Sequence, residues 1–202
     1  MNRESYNAIA PQWDAARHSF YGREREYLDV LLEGLRAPAS VLDLGCGTGR
    51  PIADYILTRG HRVIGVDFAE SLLELARVRY PEATWIHADI ESFIPPQPVD
   101  ALVCWDVLFH IERSKHEELL ASLASMLLPG GRLMLTFGGS DHPAFTDTMY
   151  GRTFFYDSHP PATLMAMLAR AGFHPVISEF MNPPTSGRDK GRYAVVARRA
   201  RK

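Results

Sequence analysis

Short apolar runs alternate with helix-like stretches along most of the chain. Runs rich in Val, Ile, Leu and aromatic residues are typical of β-strands, and they are predicted at 40–44, 62–66, 84–87, 99–105, 132–137, 174–180 and 192–198. Helical spacing with a following Gly or Pro predicts helices near 50–58, 69–80, 114–127 and 161–171. The first four strands are almost continuously apolar, as expected when helices cover both faces of a sheet. This alternation predicts one α/β domain with a mostly parallel sheet.

A helical segment precedes the first strand. Helices are predicted near 3–10 and 23–35, and the second is amphipathic. The chain therefore divides into a helical segment at 1–38 and an α/β domain at 39–202. Residues 138–158 and 181–191 have no assigned element, and loops of that length in a compact domain are usually functional or mobile.

Composition narrows the class of protein. The chain has 202 residues, of which 46% are hydrophobic and 23% charged, with a formal net charge of −2. It is large enough to bury a core without disulfides or metals, and its near-neutral charge disfavours a nucleic-acid partner. Cys46 and Cys104 lack the paired spacing of a zinc site, so no metal is expected. Without an apolar run of about 18 residues or a signal peptide, we expect a soluble cytoplasmic protein, monomeric or homodimeric, with no membrane partner.

A glycine-rich loop, VLDLGCGTGR at Val41–Arg50, carries the chemistry. The first predicted strand contains Asp43, and Gly45, Gly47 and Gly49 then allow a sharp turn against which a ligand can rest without meeting a Cβ. Such a loop after a first strand marks a nucleotide-binding crevice. In the dinucleotide pattern G-x-G-x-x-G the last glycine would stand at Arg50, and no Lys-Ser or Lys-Thr pair follows for a phosphate. An NAD(P)-dependent oxidoreductase is disfavoured but stays an alternative.

The loop resembles the first motif, D/E-x-G-x-G-x-G, of class I S-adenosylmethionine-dependent methyltransferases. The resemblance continues in register over about 41–198, through Asp67 after the second strand, Asp89 after the third and the PGG turn before the fifth. It implies a Rossmann-like, seven-stranded, mostly parallel sheet whose last strand is antiparallel, with residues 1–38 as an N-terminal lid. It also implies S-adenosylmethionine as the cofactor and S-adenosylhomocysteine as the product.

The same resemblance implies a set of cofactor-binding residues. Asp67 is expected to hold the ribose hydroxyls, Phe68 and Asp89 the adenine, and Trp105 the methionine end, while lid aromatics close over the site. The full set is Asp43, Gly45, Cys46, Gly47, Asp67, Phe68, Asp89, Ile90, Trp105, Tyr6 and Trp13. Taken singly, Asp43, Asp67 and Asp89 could instead be caps of turns or helices.

Acceptor residues are less sharply marked. The implied reaction is in-line transfer of a methyl group to a small-molecule acceptor, and the resemblance implies an acceptor-binding insertion at about 138–160. The predicted acceptor residues are Tyr21, His110, Tyr150, Phe155, Tyr156 and His159. His110 is also the predicted general base, although a histidine on an apolar face is more often a hydrogen-bonded structural group. For the aromatic cluster, the alternative is a loop core with surface histidines.

Two other interpretations remain. The segment NPPT at 182–185 is similar to the N-P-P-Y box of DNA and glutamine methyltransferases, but it follows the sixth predicted strand instead of the fourth, so a proline-rich turn is favoured. The second remaining interpretation is that the protein is a non-catalytic regulatory domain that binds S-adenosylmethionine. The sequence leaves open the acceptor and whether O, N or C is methylated.

Overall fold

The computed structural model describes residues 1–187 and 189–201. Arg188 and Lys202, which fall within the predicted 39–202 domain, lie outside the described residues. The strands are β1 Ser40–Leu44, β2 Arg62–Asp67, β3 Thr84–His87, β4 Val99–Cys104, β5 Leu127–Phe137, β6 Phe145–Met149, β7 Arg152–Tyr156, β8 Phe173–Asn182 and β9 Arg192–Arg199. The α-helices are α1 Asn2–Ala8, α2 Ala10–Ala16, α3 Glu24–Leu32, α4 Ile52–Thr58, α5 Glu70–Arg79, α6 His116–Met126 and α7 Pro161–Arg170.

Seven strands form one sheet in the order β3-β2-β1-β4-β5-β9-β8. The pairs from β3 to β5 are parallel, whereas β9 runs antiparallel to both of its neighbours. The predicted Rossmann-like α/β fold, with its antiparallel last strand, is confirmed. The chain order reverses at β1, which has β2 on one side and β4 on the other, and ligands of open α/β sheets bind at such a switch point.

The core lies on both faces of the sheet. One apolar cluster joins Leu42 and Leu133 of the sheet to α6 and α7, and the other joins Val41 to α3 and α4. Helix α3 buries Leu28 and Leu31 in this second cluster. Within the helical segment 1–38, α3 is therefore a layer of the domain, whereas α1 and α2 lie over the carboxyl ends of the strands.

The structure differs from the predicted elements in three places. The fifth strand begins at Leu127 instead of 132, so the predicted PGG turn lies within β5, where the pairing with β4 shifts register. The first predicted helix, near 3–10, is two short helices, α1 and α2. The insertion at 138–160, for which no element was predicted, contains a two-stranded antiparallel sheet formed by β6 and β7. Its turn is Tyr150-Gly151, and both residues have positive φ, 49° and 73°, as a tight two-residue hairpin loop requires.

The segment NPPT begins at the last residue of β8, Asn182, and continues into a loop, so it is not part of the crevice after β4. Among the described residues, none of the helices is both long and apolar enough to cross a membrane.

Candidate active site

A cleft opens at the carboxyl ends of β1, β2 and β4, with an empty space of about 960 Å³ when its mouth is included. Every residue predicted to bind the cofactor lines it, as does His110. We call it the cofactor cavity. Its lining is Tyr6, Trp13, Arg17, Asp43, Gly45, Cys46, Gly47, Arg50, Ile52, Asp67, Phe68, Leu72, Asp89, Ile90, Glu91, Trp105, Asp106, Val107, His110 and Ile111. The structure thus brings together residues that are up to 105 positions apart, from Tyr6 to Ile111.

The glycine loop forms the floor of the cavity between β1 and α4. Gly45 N–H donates to the Val66 carbonyl at 2.7 Å, and Gly47 N–H donates to Asp67 Oδ2 at 2.9 Å. Gly45 and Gly47 have φ values of +75° and +55°, which L side chains rarely adopt. A Cβ on Gly45 would lie 2.2 Å from Val107 Cγ2. The loop can therefore turn as it does only with glycine at Gly45.

Asp67 joins the glycine loop to the next helix. Its Oδ2 accepts from Gly47 and its Oδ1 accepts from Ala69 N–H at 2.8 Å, while its side chain lines the cavity. Burial raises the pKa of Asp67 to about 6, although the backbone N–H groups of Ala69 and Gly47 oppose that rise. Asp67 therefore caps the turn before α5 and also presents a buried carboxyl group to the cavity.

Asp43 is a second buried carboxyl group in the cavity. It is 2% exposed, and its Oδ2 has no hydrogen-bond partner among the described residues. Burial raises the pKa of Asp43 to about 7, the charge of Asp67 adds to this, and Arg17 opposes it. A buried acceptor atom without a donor is costly, so this atom marks a position suited to a donor or a cation from a ligand.

Sequence reasoning missed Arg17 and Glu24, because neither belongs to a recognisable motif. Glu24 is fully buried, and its carboxylate accepts from Arg17 Nη2 at 2.8 Å, Tyr21 N–H at 2.9 Å and Trp105 Nε1 at 2.8 Å. It therefore fixes a guanidinium and an indole that both line the cavity. In the sequence, Glu24 was marked only by its place near the start of an amphipathic helix, on the side of that helix that is buried.

Helices α1 and α2 are fastened to the cavity rim. A Cβ on Gly47 would lie 3.5 Å from Trp13 Nε1, so the Trp13 indole covers the glycine loop. Asp14 receives a hydrogen bond from Arg79 Nη2 at 2.9 Å, and Arg79 Nη1 also donates to the Thr48 carbonyl. These contacts hold α2 over the cavity. That residues 1–38 act as a lid stays a prediction.

His110 is held by hydrogen bonds at both ring nitrogens. Its Nδ1 lies 2.9 Å from the Phe155 carbonyl, which can only accept, so Nδ1 carries the proton and Nε2 accepts from Tyr6 O–H at 2.9 Å. Burial lowers the pKa of His110 to about 4. The imidazole is therefore neutral near pH 7 with its lone pair engaged, an arrangement that positions Tyr6. Its role as general base stays a prediction.

The other predicted acceptor residues are dispersed. Tyr21 and Tyr150 are each 53% exposed, and neither belongs to the described lining of the cofactor cavity. His159 Nε2 lies 3.1 Å from the Arg113 carbonyl, and its ring packs against His116 at 5.5 Å. Phe155 contributes its backbone: its carbonyl contacts His110, and its N–H donates to the Asn2 side chain.

Tyr156 differs from these because it lines a second cleft beside the cavity. This acceptor-side cleft, as we call it, is lined by Phe109, Phe145, Asp147, Tyr156, Ser186, Asp189, Lys190, Gly191 and Arg192. Arg192 forms an ion pair with Asp106, which lines the cofactor cavity, with Nε 3.1 Å from Oδ1. Asp106 has a φ of +58°, and its carboxylate also accepts from Thr136 Oγ1 at 3.1 Å.

The site is built without a recognisable metal centre. In the described part of the chain, no group of three or more His, Cys, Asp or Glu side chains is placed to ligate a metal. Cys46 and Cys104 are free and buried, and burial raises the pKa of both thiols, that of Cys104 to about 12. Neither cysteine is therefore prepared to act as a thiolate.

Comparison with known proteins agrees with this geometry. Residues 41–131, from β1 to the PGG turn, match the family model described as "Methyltransferase domain". This stretch, which is less than half of the 202 residues, is therefore similar to methyltransferase domains. The magnesium protoporphyrin IX methyltransferase of Synechocystis PCC 6803, solved with bound SAM, has a TM-score of 0.74 with this chain at 20% identity, which shows a shared fold. It aligns over 98% of this chain and 95% of its own.

Two curated relatives align with this chain. The trans-aconitate 2-methyltransferase of Azoarcus sp. (strain BH72) is 33% identical over 129 residues, which are 62% of this chain and 50% of the relative. The ubiquinone biosynthesis O-methyltransferase of Xanthomonas euvesicatoria pv. vesicatoria (strain 85-10) is 28% identical over 193 residues, 84% and 78% of the two chains. This chain therefore spans about half the length of the trans-aconitate enzyme that it matches.

Proposed function

We propose that this protein transfers the methyl group of S-adenosylmethionine to a small-molecule acceptor and releases S-adenosylhomocysteine. The observation that carries the proposal is the convergence of the glycine loop, Asp43 and Asp67 on one cavity at the switch point of the sheet. The match of residues 41–131 to the methyltransferase family model supports it.

The cavity residues fit S-adenosylmethionine chemically. Its sulfonium and its α-amino group are cationic, and the cavity offers the unpartnered Oδ2 of Asp43. Its α-carboxylate is anionic, and Arg17, held by Glu24, is a cation in the same lining. Glycine at Gly45 and Gly47 leaves the main chain open to close approach.

Particular residues would hold each part of the cofactor. Asp67 would accept hydrogen bonds from the ribose hydroxyls, because a carboxylate oxygen has two lone pairs and each Asp67 oxygen uses one for a backbone N–H. Phe68 and Ile90 would contact the adenine, with Asp89 near its amino group. The faces of Tyr6 and Trp13 would lie toward the sulfonium, because aromatic faces attract cations.

When bound, S-adenosylmethionine would supply an electrophilic methyl group to the acceptor atom, and its sulfur would keep the electron pair of the carbon–sulfur bond that breaks. The protein contributes mainly by orienting the reactants and excluding water. Helices α1 and α2 would exclude water because hydrogen bonds hold them over the cavity, from Arg79 to Asp14 of α2 and from Tyr6 of α1 to His110. Acceptors that lose a proton need a general base. In this arrangement the lone pair on His110 Nε2 accepts a hydrogen bond from Tyr6, so His110 positions Tyr6 instead of taking a proton from the acceptor.

The finer assignments are also proposals. One relative is named a trans-aconitate 2-methyltransferase and the other a ubiquinone biosynthesis O-methyltransferase, and both names point to small organic acceptors. We therefore infer a small organic acceptor here. A cytoplasmic location is consistent with buried free cysteines, which persist in a reducing compartment. A monomer or a homodimer would both fit one complete cavity in each chain.

A transfer assay tests the proposal. The protein is incubated with S-adenosylmethionine carrying a labelled methyl group and a panel of phenols, carboxylic acids and amines, and labelled product is measured. Transfer to at least one acceptor is expected. A parallel titration with NAD and NADP decides the oxidoreductase alternative, since binding of a nicotinamide cofactor in place of S-adenosylhomocysteine would refute the methyltransferase assignment. Cofactor binding without transfer to any acceptor would favour the regulatory alternative.

A further inference from the structure

Glu24 shares its buried carboxylate among three donors. Arg17 Nη2 and Trp105 Nε1 both donate to Oε1 at 2.8 Å, and the Tyr21 N–H donates to Oε2 at 2.9 Å. The Glu24 side chain is fully buried, whereas that of Arg17 is 15% exposed. Because apolar side chains of similar volume often stabilise a fold as well as a buried ion pair does, this pair is best explained by what it positions.

The Arg17 guanidinium is fixed by the protein but keeps donors for a ligand. Nη1 donates to the Ser19 carbonyl at 3.0 Å and Nη2 donates to Glu24. Arginine has five N–H donors, so these two bonds, the ones assigned in the described part of the chain, leave donors that can face the cofactor cavity, which Arg17 lines. A guanidinium held in one plane is suited to bind a carboxylate by charge-assisted hydrogen bonds.

Asp43 adds an acidic group to the same part of the lining. Its Oδ2 has no hydrogen-bond partner among the described residues, and it lines the cavity together with Arg17. The two side chains are near enough that the charge of Arg17 opposes the rise in the pKa of Asp43. An acid and a cation placed together complement the α-ammonium and the α-carboxylate of one amino acid. We call Asp43 and Arg17 the amino-acid subsite.

We propose that Glu24 is the positioning residue of the amino-acid subsite: it holds Arg17 where the guanidinium binds the α-carboxylate of the cofactor. This inference rests on the proposed function, because it takes the amino-acid end of S-adenosylmethionine as the ligand. Glu24 lies outside the described lining of the cavity, so it acts through Arg17 and not by contact with the cofactor. Holding the guanidinium in place before the cofactor arrives lowers the cost of ordering it on binding.

A matched pair of ligands isolates the carboxylate in calorimetric titrations. S-adenosylhomocysteine is compared with decarboxylated S-adenosylhomocysteine, which keeps the adenosine, the sulfur and the amino group. The wild type is expected to bind S-adenosylhomocysteine at least about 10-fold more tightly, because only this ligand can form charge-assisted hydrogen bonds with Arg17. We call this ratio of affinities the carboxylate preference. A carboxylate preference below about 3-fold would overturn the proposal, since it is less than one such bond contributes.

A matched pair of glutamate variants tests Glu24. Glu24→Gln removes the charge that holds Arg17 and is expected to lower the carboxylate preference about 5-fold or more, with the decarboxylated ligand changed less than about 2-fold. Glu179→Gln is the control, because Glu179 also accepts from an arginine and an aromatic side chain, Arg23 and Tyr27, but lies outside the described lining of the cavity. It should keep the wild-type preference. An unchanged preference in Glu24→Gln, an equal weakening of both ligands, or the same loss in Glu179→Gln would refute the proposal.

Arg17→Leu decides whether Glu24 acts through Arg17. This variant is expected to bind the two ligands alike. Adding Glu24→Gln to it should not change the carboxylate preference further, because two residues that act through one contact are not additive. The double variant buries no unpaired charge of the Arg17–Glu24 pair, so it stays testable where Glu24→Gln alone does not fold. A preference that survives in Arg17→Leu, or that Glu24→Gln lowers again in its absence, would contradict the proposal.

The wild-type titrations separate this inference from the proposed function. If S-adenosylhomocysteine fails to bind the wild type, the proposed function fails and the role of Glu24 fails with it. If S-adenosylhomocysteine binds but its decarboxylated counterpart binds as tightly, only the inference about Glu24 and Arg17 fails, and the methyl-transfer assay still decides the proposed function.

Discussion

The cofactor cavity and the acceptor-side cleft lie side by side but are constructed differently. The cavity floor is built on the ends of parallel strands and on a loop whose glycines have positive φ, so local sequence determines where the side chains of the loop and of the strand ends lie. The cleft is built from the hairpin β6–β7 and the segment that leads into β9, so strand register determines which side chains face it. Local motifs therefore reveal the first site, whereas the second becomes visible only in three dimensions.

Substitution in the glycine loop should break the cavity and leave the rest of the molecule folded. Gly47→Val places a branched side chain at a φ of +55° beneath the Trp13 indole, where the ligand is proposed to rest. We expect affinity for S-adenosylhomocysteine to fall at least about 100-fold, which corresponds to about 2.7 kcal/mol.

Calorimetry measures the affinity of Gly47→Val, and circular dichroism measures its fold. Gly172→Val is the control, because Gly172 also has positive φ but nothing lies within 4 Å of its Cβ position. Equal losses of affinity in the two variants would mean that backbone strain, and not the cavity, explains the effect.

Arg17 sharpens the comparison because it belongs to the cavity without belonging to a motif. Arg17→Leu leaves the fully buried Glu24 carboxylate without its cation, and we expect the free energy of unfolding to fall by about 3 kcal/mol in urea denaturation. Arg170→Leu, which breaks the exposed pair with Glu117, should change it by less than about 0.5 kcal/mol. Similar values for the two variants would contradict the buried network around Glu24.

The buried carboxyl group of Asp43 predicts that the free energy of unfolding falls as the pH rises. Because the pKa of Asp43 is raised to about 7, the folded protein holds a proton there that the unfolded chain, with an ordinary aspartate pKa of about 3.9, has lost. Asp43 therefore costs the ligand-free fold increasing free energy as the pH rises from about 4 to 7.

Comparison with Asp43→Asn isolates that contribution. Between pH 5 and 8, the free energy of unfolding of the wild type should fall by about 3 kcal/mol relative to that of the variant. Denaturation curves across this range measure the difference. A difference that does not change with pH would show that the pKa of Asp43 is not raised.

The smallest effect is expected at the hairpin turn on the acceptor side. Tyr150 has a φ of +49° in a two-residue loop, a conformation that Asn adopts more readily. Tyr150→Asn should raise the free energy of unfolding by about 0.5 kcal/mol, measured by thermal denaturation. A loss of stability would indicate that the exposed Tyr150 ring makes contacts that outweigh the turn.

Much of the fold and of the cofactor cavity could be predicted from sequence because the determining interactions are local. The loop VLDLGCGTGR is positioned by its own glycines, and Asp67 and Asp89 follow strands whose apolar pattern marks where they end. Parallel pairing then brings these strand ends to one edge of the sheet. The resemblance to the methyltransferase family supplied the roles of the residues.

Residues on the acceptor side could not be selected in the same way. Successive side chains of a strand point to opposite faces, so Phe155 and Tyr156 cannot both face the same cleft, and only the hairpin register decides between them. The signal available was the Tyr150-Gly151 turn between two alternating runs, which marks a hairpin. Arg17 and Arg192 depend on long-range partners, Glu24 within the helical segment and Asp106 after β4, which no spacing reveals.

Calorimetric titration of S-adenosylhomocysteine into the wild type and into Asp67→Ala tests the central claim most directly. The account predicts binding to the wild type and a loss of about 1–3 kcal/mol in the variant, because the ribose hydroxyls would lose their carboxylate partner. Asp100→Ala, which removes a carboxylate that caps Ser40 outside the cavity, should bind as the wild type does. Absence of binding to the wild type, or an unchanged affinity in Asp67→Ala, would contradict the account.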